Sequence, residues 1–525
     1  MDLDPQSIFE SIQANREHEV PVDNLRQIID FTMRHLAADL RCLASCRNLL
    51  SPTVARLPVE ILARILWFAS SYNSDILHAS HVCQHWRKVA IENSLLWSVI
   101  ETWNIDRTRE FLRRSKVSTL NIEIEGCYEK DSCSCASTME ELEPHMHRVR
   151  RIDVAIERPA ELKKWFDWLT DRSAPQLESL FLTFTQECEG HRRPPFFIHP
   201  KMVFQGNLSH LRSLDLDSIV LCLPDPAPTF PHLTYLSISL HNTKKAPPLS
   251  KWLEILKHSP QLRDLSIHNR ANSVCEELHT LGERNTDLQV NFPVLSELRL
   301  VKTPVNVIQA ILKHLLLPVT CSMEFDIDNT AWIRHSTYTL DYRDIGGVSL
   351  IKTIKISRKN SAALEGYIGG HEGPPLLTVK AEQETLNSTL DSLSQCLNVF
   401  NVRVLVARSL DMNDWNKILS QLPQLRELWI NNSDDPRDGS LHTAMRTLAI
   451  RGVCPMLRRL HVTQASLGTS DLQALRECVE KRSSHGIAGP LEEIELEGVP
   501  MWEGGNENDD LVHLRCLCPN VVVVN

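Results

Sequence analysis

Apolar residues recur at helical steps through the first hundred positions and in a strand-like phrase through most of the rest. From Val22 to Leu50, the residues Leu25, Ile28, Ile29, Met33, Leu36, Leu40 and Leu43 keep a helical period, with Asp23 or Asn24 placed to cap the start. This predicts one amphipathic helix over 22–50, preceded by a flexible tail over 1–21. Its narrow stripe fits either a coiled-coil seam or packing on the module that follows. Ser51-Pro52 ends the pattern, because proline lacks a backbone donor and restricts the residue before it.

A second helix opens at Arg56-Leu57-Pro58-Val59-Glu60-Ile61-Leu62, with Pro58 in the first turn, where its missing N–H has no intrahelical partner. Its apolar set is Ile61, Leu62, Ile65, Leu66 and Phe68. After a polar turn at Tyr72 to Asp75, a further helix is predicted to carry Leu77, Val82, Cys83, Trp86 and Val89. Asn93-Ser94 then leads into Leu95-Leu96-Trp97. Three helices this short bury little core of their own. Either a partner protein covers their large apolar residues, or the leading helix and the following domain do.

From about Val117 to the end, a phrase Pro-x-Leu-x-x-Leu-x-Leu returns. It reads Pro175, Leu177, Leu180 and Leu182, and recurs at Leu211-Leu214-Leu216, Leu233-Leu236-Ile238, Leu262-Leu265-Ile267 and Leu295-Leu298-Leu300. Late copies are Leu425-Leu428-Ile430, Leu457-Leu460-Val462 and Leu491-Ile494-Leu496. Successive copies within each run stand about 20–35 residues apart, the spacing of a structural repeat. Helical phrases such as Trp252-Leu253-x-Ile255-Leu256 and Trp415-x-x-Ile418-Leu419 lie between several of them. The expected fold class is therefore α/β: N-terminal helices followed over 117–525 by an irregular solenoid, with a parallel sheet inside and helices outside. Between about 301 and 410 the repeat degenerates. One good copy stands there, Ile351-x-x-Ile354-x-Ile356, with weaker strands near Phe325, Val379 and Val404, and Gly366 to Pro375 reads as an exposed loop.

Composition narrows the function classes. The 525 residues are 42% hydrophobic and 23% charged, as in ordinary globular proteins. A net charge of −10 disfavours nucleic acid as a partner, because that affinity needs clustered Lys and Arg. The longest apolar run, Val305 to Leu317, is short and broken by Lys313 and His314, so no membrane span is expected. Residues Met1 to Glu10 lack a secretory pattern, so the protein is expected in the cytoplasm and/or nucleus, with most of its 15 cysteines kept as thiols.

Catalytic motifs are missing from the sequence: there is no phosphate loop, no Gly-x-Ser-x-Gly and no His-Glu-x-x-His. Cys127, Cys133, Cys135, His145 and His147 cluster without a Cys-x-x-Cys pair and read as a surface loop rather than a zinc site. No enzyme, metal or cofactor is expected.

In the repeated phrase the leucines face the core, so the residues just before the second and third leucines go to the concave side. These are Phe181, Asp215, Tyr235, Asp264, Glu297, Arg299, Glu427, Trp429, Arg459, His461, Glu493 and Glu495. Trp429 with Arg459 and His461 is the strongest candidate contact patch, and Phe181, Tyr235 and Arg299 are further candidates on the same face, since Trp, Tyr and Arg dominate binding hot spots. Covering of Trp429 by a loop or by the C-terminal segment is the competing reading. The acidic end of this face favours a basic partner.

The residues Leu57-Pro58-x-Glu60-Ile61-Leu62, Val82-Cys83-x-x-Trp86 and Leu96-Trp97 resemble the F-box motif over about 54–101. With the preceding helix and the leucine-rich tail, the chain resembles the expanded F-box families of mushroom-forming (basidiomycete) fungi. The resemblance implies a substrate-recognition subunit of an SCF-type cullin-RING ubiquitin ligase. Its F-box would dock on a Skp-type adaptor and through it a cullin, and its leucine-rich repeats would bind an unknown target protein. By the same analogy Leu57, Pro58, Glu60, Ile61, Leu62, Ile65, Val82, Cys83 and Trp86 supply adaptor contacts or the helices' own core. The alternative is an F-box and leucine-rich repeat scaffold acting outside a ubiquitin ligase.

Overall fold

The computed structural model describes residues 10, 13 and 22–524, apart from 51–56, 71–72, 127–134, 185–195, 199–203, 205–207, 218, 222–228, 241–248, 270–288, 328–344, 359–361, 382–389, 391–392, 394–396, 411, 433–439, 465–466, 485–488 and 499–508. The expected tail over 1–21, the Ser51-Pro52 break, Cys127 and Cys133 therefore lie almost wholly outside the described residues. Two compact units divide the chain at Arg150 and Arg151.

In the first unit, helix α1 spans Val22–Leu50 as the apolar period predicts. Its stripe is largely open: Ile28, Met33, Leu36, Leu40 and Leu43 are all exposed among the described residues. Helices α2 (Val59–Ala69), α3 (Asn73–Ser80) and α4 (Gln84–Glu92) follow, then a short 3-10 turn over Ser94–Trp97. The single helix expected from Leu77 through Val89 is in fact two. His81 and Val82 form the turn between them, and Cys83 caps α4 by accepting the Trp86 N–H on its sulfur at 3.5 Å. A capping side chain satisfies a donor that the helix start would otherwise strand, which is why the chain restarts there.

Leu62, Leu66, Ile76, Val89, Ala90, Leu96 and Trp97 form the core of this helical group. Trp97 is closed in completely: its Nε1 donates to the Ala90 carbonyl at 2.7 Å, and its ring meets Phe111 edge-on at 4.9 Å. Phe111 belongs to α5 (Ile105–Ser115), which runs beside the parallel strands β1 (Val99–Glu101) and β2 (Leu120–Glu125). Helix α6 (Cys135–Leu142) precedes the division.

The second unit is a large, mostly parallel sheet flanked by helices. Its strands are β3 (Val149–Ile156), β4 (Ser179–Phe184), β5 (Ser213–Asp217), β6 (Tyr235–Leu240), β7 (Asp264–Asn269), β8 (Glu297–Val301) and β9 (Ser322–Ile327), each parallel to the one before. At the other end β13 (Val404–Arg408), β14 (Glu427–Asn432), β15 (Arg459–Gln464), β16 (Glu493–Glu497) and β17 (Asn520–Val524) are parallel again. Two rows of apolar residues run through the register. One contains Leu180, Leu214, Leu236, Leu265 and Leu298; the other contains Leu182, Leu216, Ile238, Ile267 and Leu300. All ten are buried, as the leucine phrase predicts. Helices α7 (Pro159–Thr170), α8 (Leu249–Lys257), α9 (Val305–Leu312), α10 (Met412–Ser420), α11 (Ser440–Leu448) and α12 (Thr469–Ser484) bury side chains such as Trp165, Trp252, Ile308, Trp415, Leu441 and Leu472.

The middle of the sheet departs from the expected all-parallel order. Strands β10 (Thr353–Ser357), β11 (Ala362–Tyr367) and β12 (Leu377–Ala381) form an antiparallel meander inserted between β9 and β13. Their spacing is the reason. Residues 358–361 and 368–376 are too few for the crossover that a parallel return requires, so the chain reverses on itself. As a result β12, not β10, lies beside β9. The stretch from Gly366 to Pro375 is only partly loop, because Gly366 and Tyr367 complete β11. Gly366 stands where a Cβ would come within 2.5 Å of the Ile351 side chain, so close approach rather than a turn requires glycine there.

Candidate functional site

Helix α2 is apolar on two sides. Leu62, Ala63 and Leu66 face the core, whereas Ile61, Ile65 and Phe68 recur one helical turn apart on an exposed stripe, with fractional exposures of 47%, 43% and 66%. Trp67 is exposed beside them and meets Phe68 edge-on at 5.1 Å. Val82, in the turn before α4, is 60% exposed. Pro58 and Glu60 are exposed, Leu57, Cys83 and Trp86 are half-buried, and Leu62 has no exposure at all. The structure thus separates two groups that the sequence left together: Leu62 is core, and Ile61, Ile65 and Val82 are surface. Sequence reasoning did not single out Trp67 and Phe68 for the surface, although a helix with apolar residues on two faces signals a second buried contact.

Residues 54–100 match the F-box-like family. Residues 54–56 of the match lie outside the described residues. The F-box is typically a docking module for Skp-type adaptors of SCF-type ubiquitin ligases, and F-box proteins are in general adaptors rather than enzymes. No curated protein matches the chain. No helix among the described residues is long and apolar enough to cross a membrane.

Across the second unit, the sheet register lines up the face opposite the leucines. One row runs Phe181, Asp215, Ser237, Ser266, Arg299 and Glu324, and after the meander continues through Val406, Trp429, His461 and Glu495. Tyr235, Asp264, Glu297, Glu427, Arg459 and Glu493 belong to the row two residues earlier. The residues expected on one face do share it, in two parallel rows.

They gather into two groups, with strands β7 to β13 between them. In the first, the Phe181 and Tyr235 rings lie 6.2 Å apart, the Arg151 guanidinium sits 4.3 Å from the Phe181 centroid, and the Tyr235 hydroxyl donates to Asp215 at 3.3 Å. Burial pushes the Asp215 carboxyl above its ordinary range, against the hydrogen bonds from Ser237 and Tyr235. Arg299, on β8, lies 3.8 Å from Glu324 on β9. It is tied to Glu297 at 2.6 Å on its own strand.

In the second group the Trp429 indole stacks on the His461 imidazole with centroids 3.8 Å apart. Trp429 Nε1 donates to Glu427 Oε1 at 2.6 Å, and Arg459 approaches Glu427 Oε2 at 3.3 Å. His461 Nδ1 lies 2.6 Å from Glu495 Oε2, and only 9% of the residue is exposed. His461 is therefore a support for Trp429 rather than a free contact residue. The β11–β12 loop also reaches Trp429, with the His371 ring 5.3 Å away and tilted by 59°. Loop covering, the competing reading of this tryptophan, is thus partly realised. An open cleft of about 740 Å³ remains, lined by Tyr367, residues 368–376, Glu427 and Trp429, together with Thr320, Ser322.

Cys127 and Cys133 of the cysteine and histidine cluster lie outside the described residues, and among those described no three His, Cys, Asp or Glu side chains are grouped to hold a metal ion. His147 Nδ1 lies 2.9 Å from the Pro144 carbonyl, and burial followed by the charge of Arg148 lowers the basicity of His145. Cys321, Cys454, Cys478 and Cys518 are buried thiols, and burial raises the pKa of Cys454 to about 12.

Proposed function

We propose that this chain is the substrate-recognition subunit of an SCF-type cullin-RING ubiquitin ligase, acting in the cytoplasm and/or nucleus. The observation that carries the proposal is the doubled apolar character of α2 inside an F-box-like sequence. One stripe builds the core, and the other, Ile61, Ile65 and Phe68, is left facing solvent. Patches of large apolar side chains on a small helical module are the ordinary mark of a protein interface. In this reading Ile61, Ile65, Phe68 and Val82 bind the Skp-type adaptor, with Leu57, Pro58 and Glu60 at the rim. Leu62 holds the module together, Cys83 fixes the turn that presents Val82, and Trp86 braces α4.

The second unit is then an irregular leucine-rich repeat solenoid of the kind that follows the F-box in mushroom-forming fungi. The leucine rows and the alternation of strand and helix support that reading. The polar face of its sheet binds the target protein. The chain itself performs no chemistry: it raises the effective concentration of its target near a ligase carried by the cullin.

The test is affinity capture from a fungal lysate of the full chain and of an Ile65→Glu/Phe68→Glu variant. Adaptor and cullin should accompany the wild-type chain and be lost with the variant while its circular dichroism is unchanged. Adaptor recovered without cullin points to a scaffold outside a ubiquitin ligase. Capture of neither by the wild-type chain would sink the docking reading.

A further inference from the structure

The cleft beside Trp429 has a chemistry of its own. Its walls are aromatic, from Trp429, Tyr367 and His371, and its two charged lining groups are both carboxylates, Glu427 and Glu372. No lysine or arginine lines it among the described residues. Glu372 is exposed and makes no ion pair among the described residues, so its charge is open to a ligand. Glu427 is partly committed, to the Trp429 N–H and to Arg459, but a carboxylate accepts more hydrogen bonds than these two supply. The His461 imidazole covers one face of the indole and does not line the cleft, so the cleft meets what is left of the ring.

The loop is shaped for access. Gly369, Gly370 and Gly373 line the cleft, and a Cβ at any of them would meet nothing within 4 Å. Packing does not demand glycine at these positions, and its effect there is a wall without side chains. At about 740 Å³ the space is much larger than a water site and within the range of ligand pockets.

We propose that this cleft receives an arginine or lysine side chain of the partner protein, held against the Trp429 ring and between the carboxylates of Glu372 and Glu427. A cation gains from the indole face and from both carboxylates, whereas an anion would be repelled by all three. The assignment rests on the reading of the sheet as the partner-binding domain and names the chemistry that it selects.

The test uses the full-length chain and acetylated, amidated pentapeptides Gly-Gly-Xaa-Gly-Gly with Xaa as Arg, Lys, Gln or Glu, followed by saturation-transfer NMR at millimolar peptide. Arg and Lys peptides should take up saturation and compete with each other, and Gln and Glu peptides should not. Glu372→Gln, a surface change that leaves folding alone, should weaken the signal several-fold, and Trp429→Leu should weaken it about ten-fold. Arg113→Gln, on helix α5 of the first unit, should leave it unchanged. Equal signals from the Gln and Arg peptides, an undiminished signal in both cleft variants, or no signal from any peptide would overturn the assignment. The readout does not involve the F-box, so a chain that captures its adaptor yet shows no preference for cations loses this inference alone.

Discussion

The indole of Trp429 and the imidazole of His461 lie 6° from parallel on neighbouring strands, at directly paired register positions. Cross-strand partners on one face of a sheet are the natural unit of contact between strands, and here the pair is braced at both ends by carboxylates. Glu427 takes the indole N–H, and Glu495 takes the imidazole Nδ1–H. The tryptophan that lines the cleft is thereby fixed by residues from three consecutive strands, β14 to β16.

Removing the support should loosen the site before it loosens the sheet. His461→Ala deletes the stacking surface and one hydrogen bond to a carboxylate, a loss of about 1–2 kcal/mol, because Glu495 regains water. Hydrogen exchange of amides in β14 and β15 should quicken by about ten-fold, with β4 to β6 unaffected. Equal acceleration across the whole second unit would mean that the histidine supports the fold at large and not this site.

Neighbouring positions on α2 should respond in opposite ways. Leu62→Ala opens a cavity in a core too small to absorb it and should cost about 2–5 kcal/mol, enough to unfold the helical group. Ile65→Ala removes a side chain that is already 43% exposed, and should cost under about 1 kcal/mol in the isolated chain. Thermal melts of the full chain followed by hydrogen exchange in 59–97 separate the two. A large loss from Ile65→Ala would show that this side chain is part of the core.

How far the sequence disclosed this arrangement depended on the distance over which each signal acts. The leucine phrase is local and periodic, so it located β4 to β8 and β14 to β16, and the alternation within it correctly put Phe181, Trp429 and His461 on one face. Helix α2 was legible for the same reason, but the break at His81 and Val82 between α3 and α4 was not, because the apolar residues on either side of it keep to helical spacing. The meander was not legible, because Ile354 and Ile356 of β10 repeat the phrase of the parallel strands and only the short lengths of 358–361 and 368–376 betray the reversal. Nor was the division of α2 into core and surface stripes, since Leu62 and Ile65 are equally apolar in one dimension. The Trp429–His461 stack joins residues 32 positions apart, and its closeness depends on register that only the folded sheet supplies.

The same dependence on folded context governs Arg358 and Asp414. Two guanidinium nitrogens of Arg358, just after β10, lie 2.6 Å from the two carboxylate oxygens of Asp414 in α10, and both side chains are nearly inaccessible to water. Such a pair contributes little net stability compared with an apolar pair of the same volume, because each ion gives up its hydration. Breaking it is another matter. Asp414→Ala strands a buried guanidinium without its counter-charge and should cost about 3–5 kcal/mol. Replacing both residues, Arg358→Met with Asp414→Leu, should recover most of that loss. Urea unfolding followed by hydrogen exchange in β10 and α10 reads both variants. The idea fails if the single Asp414→Ala chain is as stable as the wild type, or if the double variant is no better than the single one.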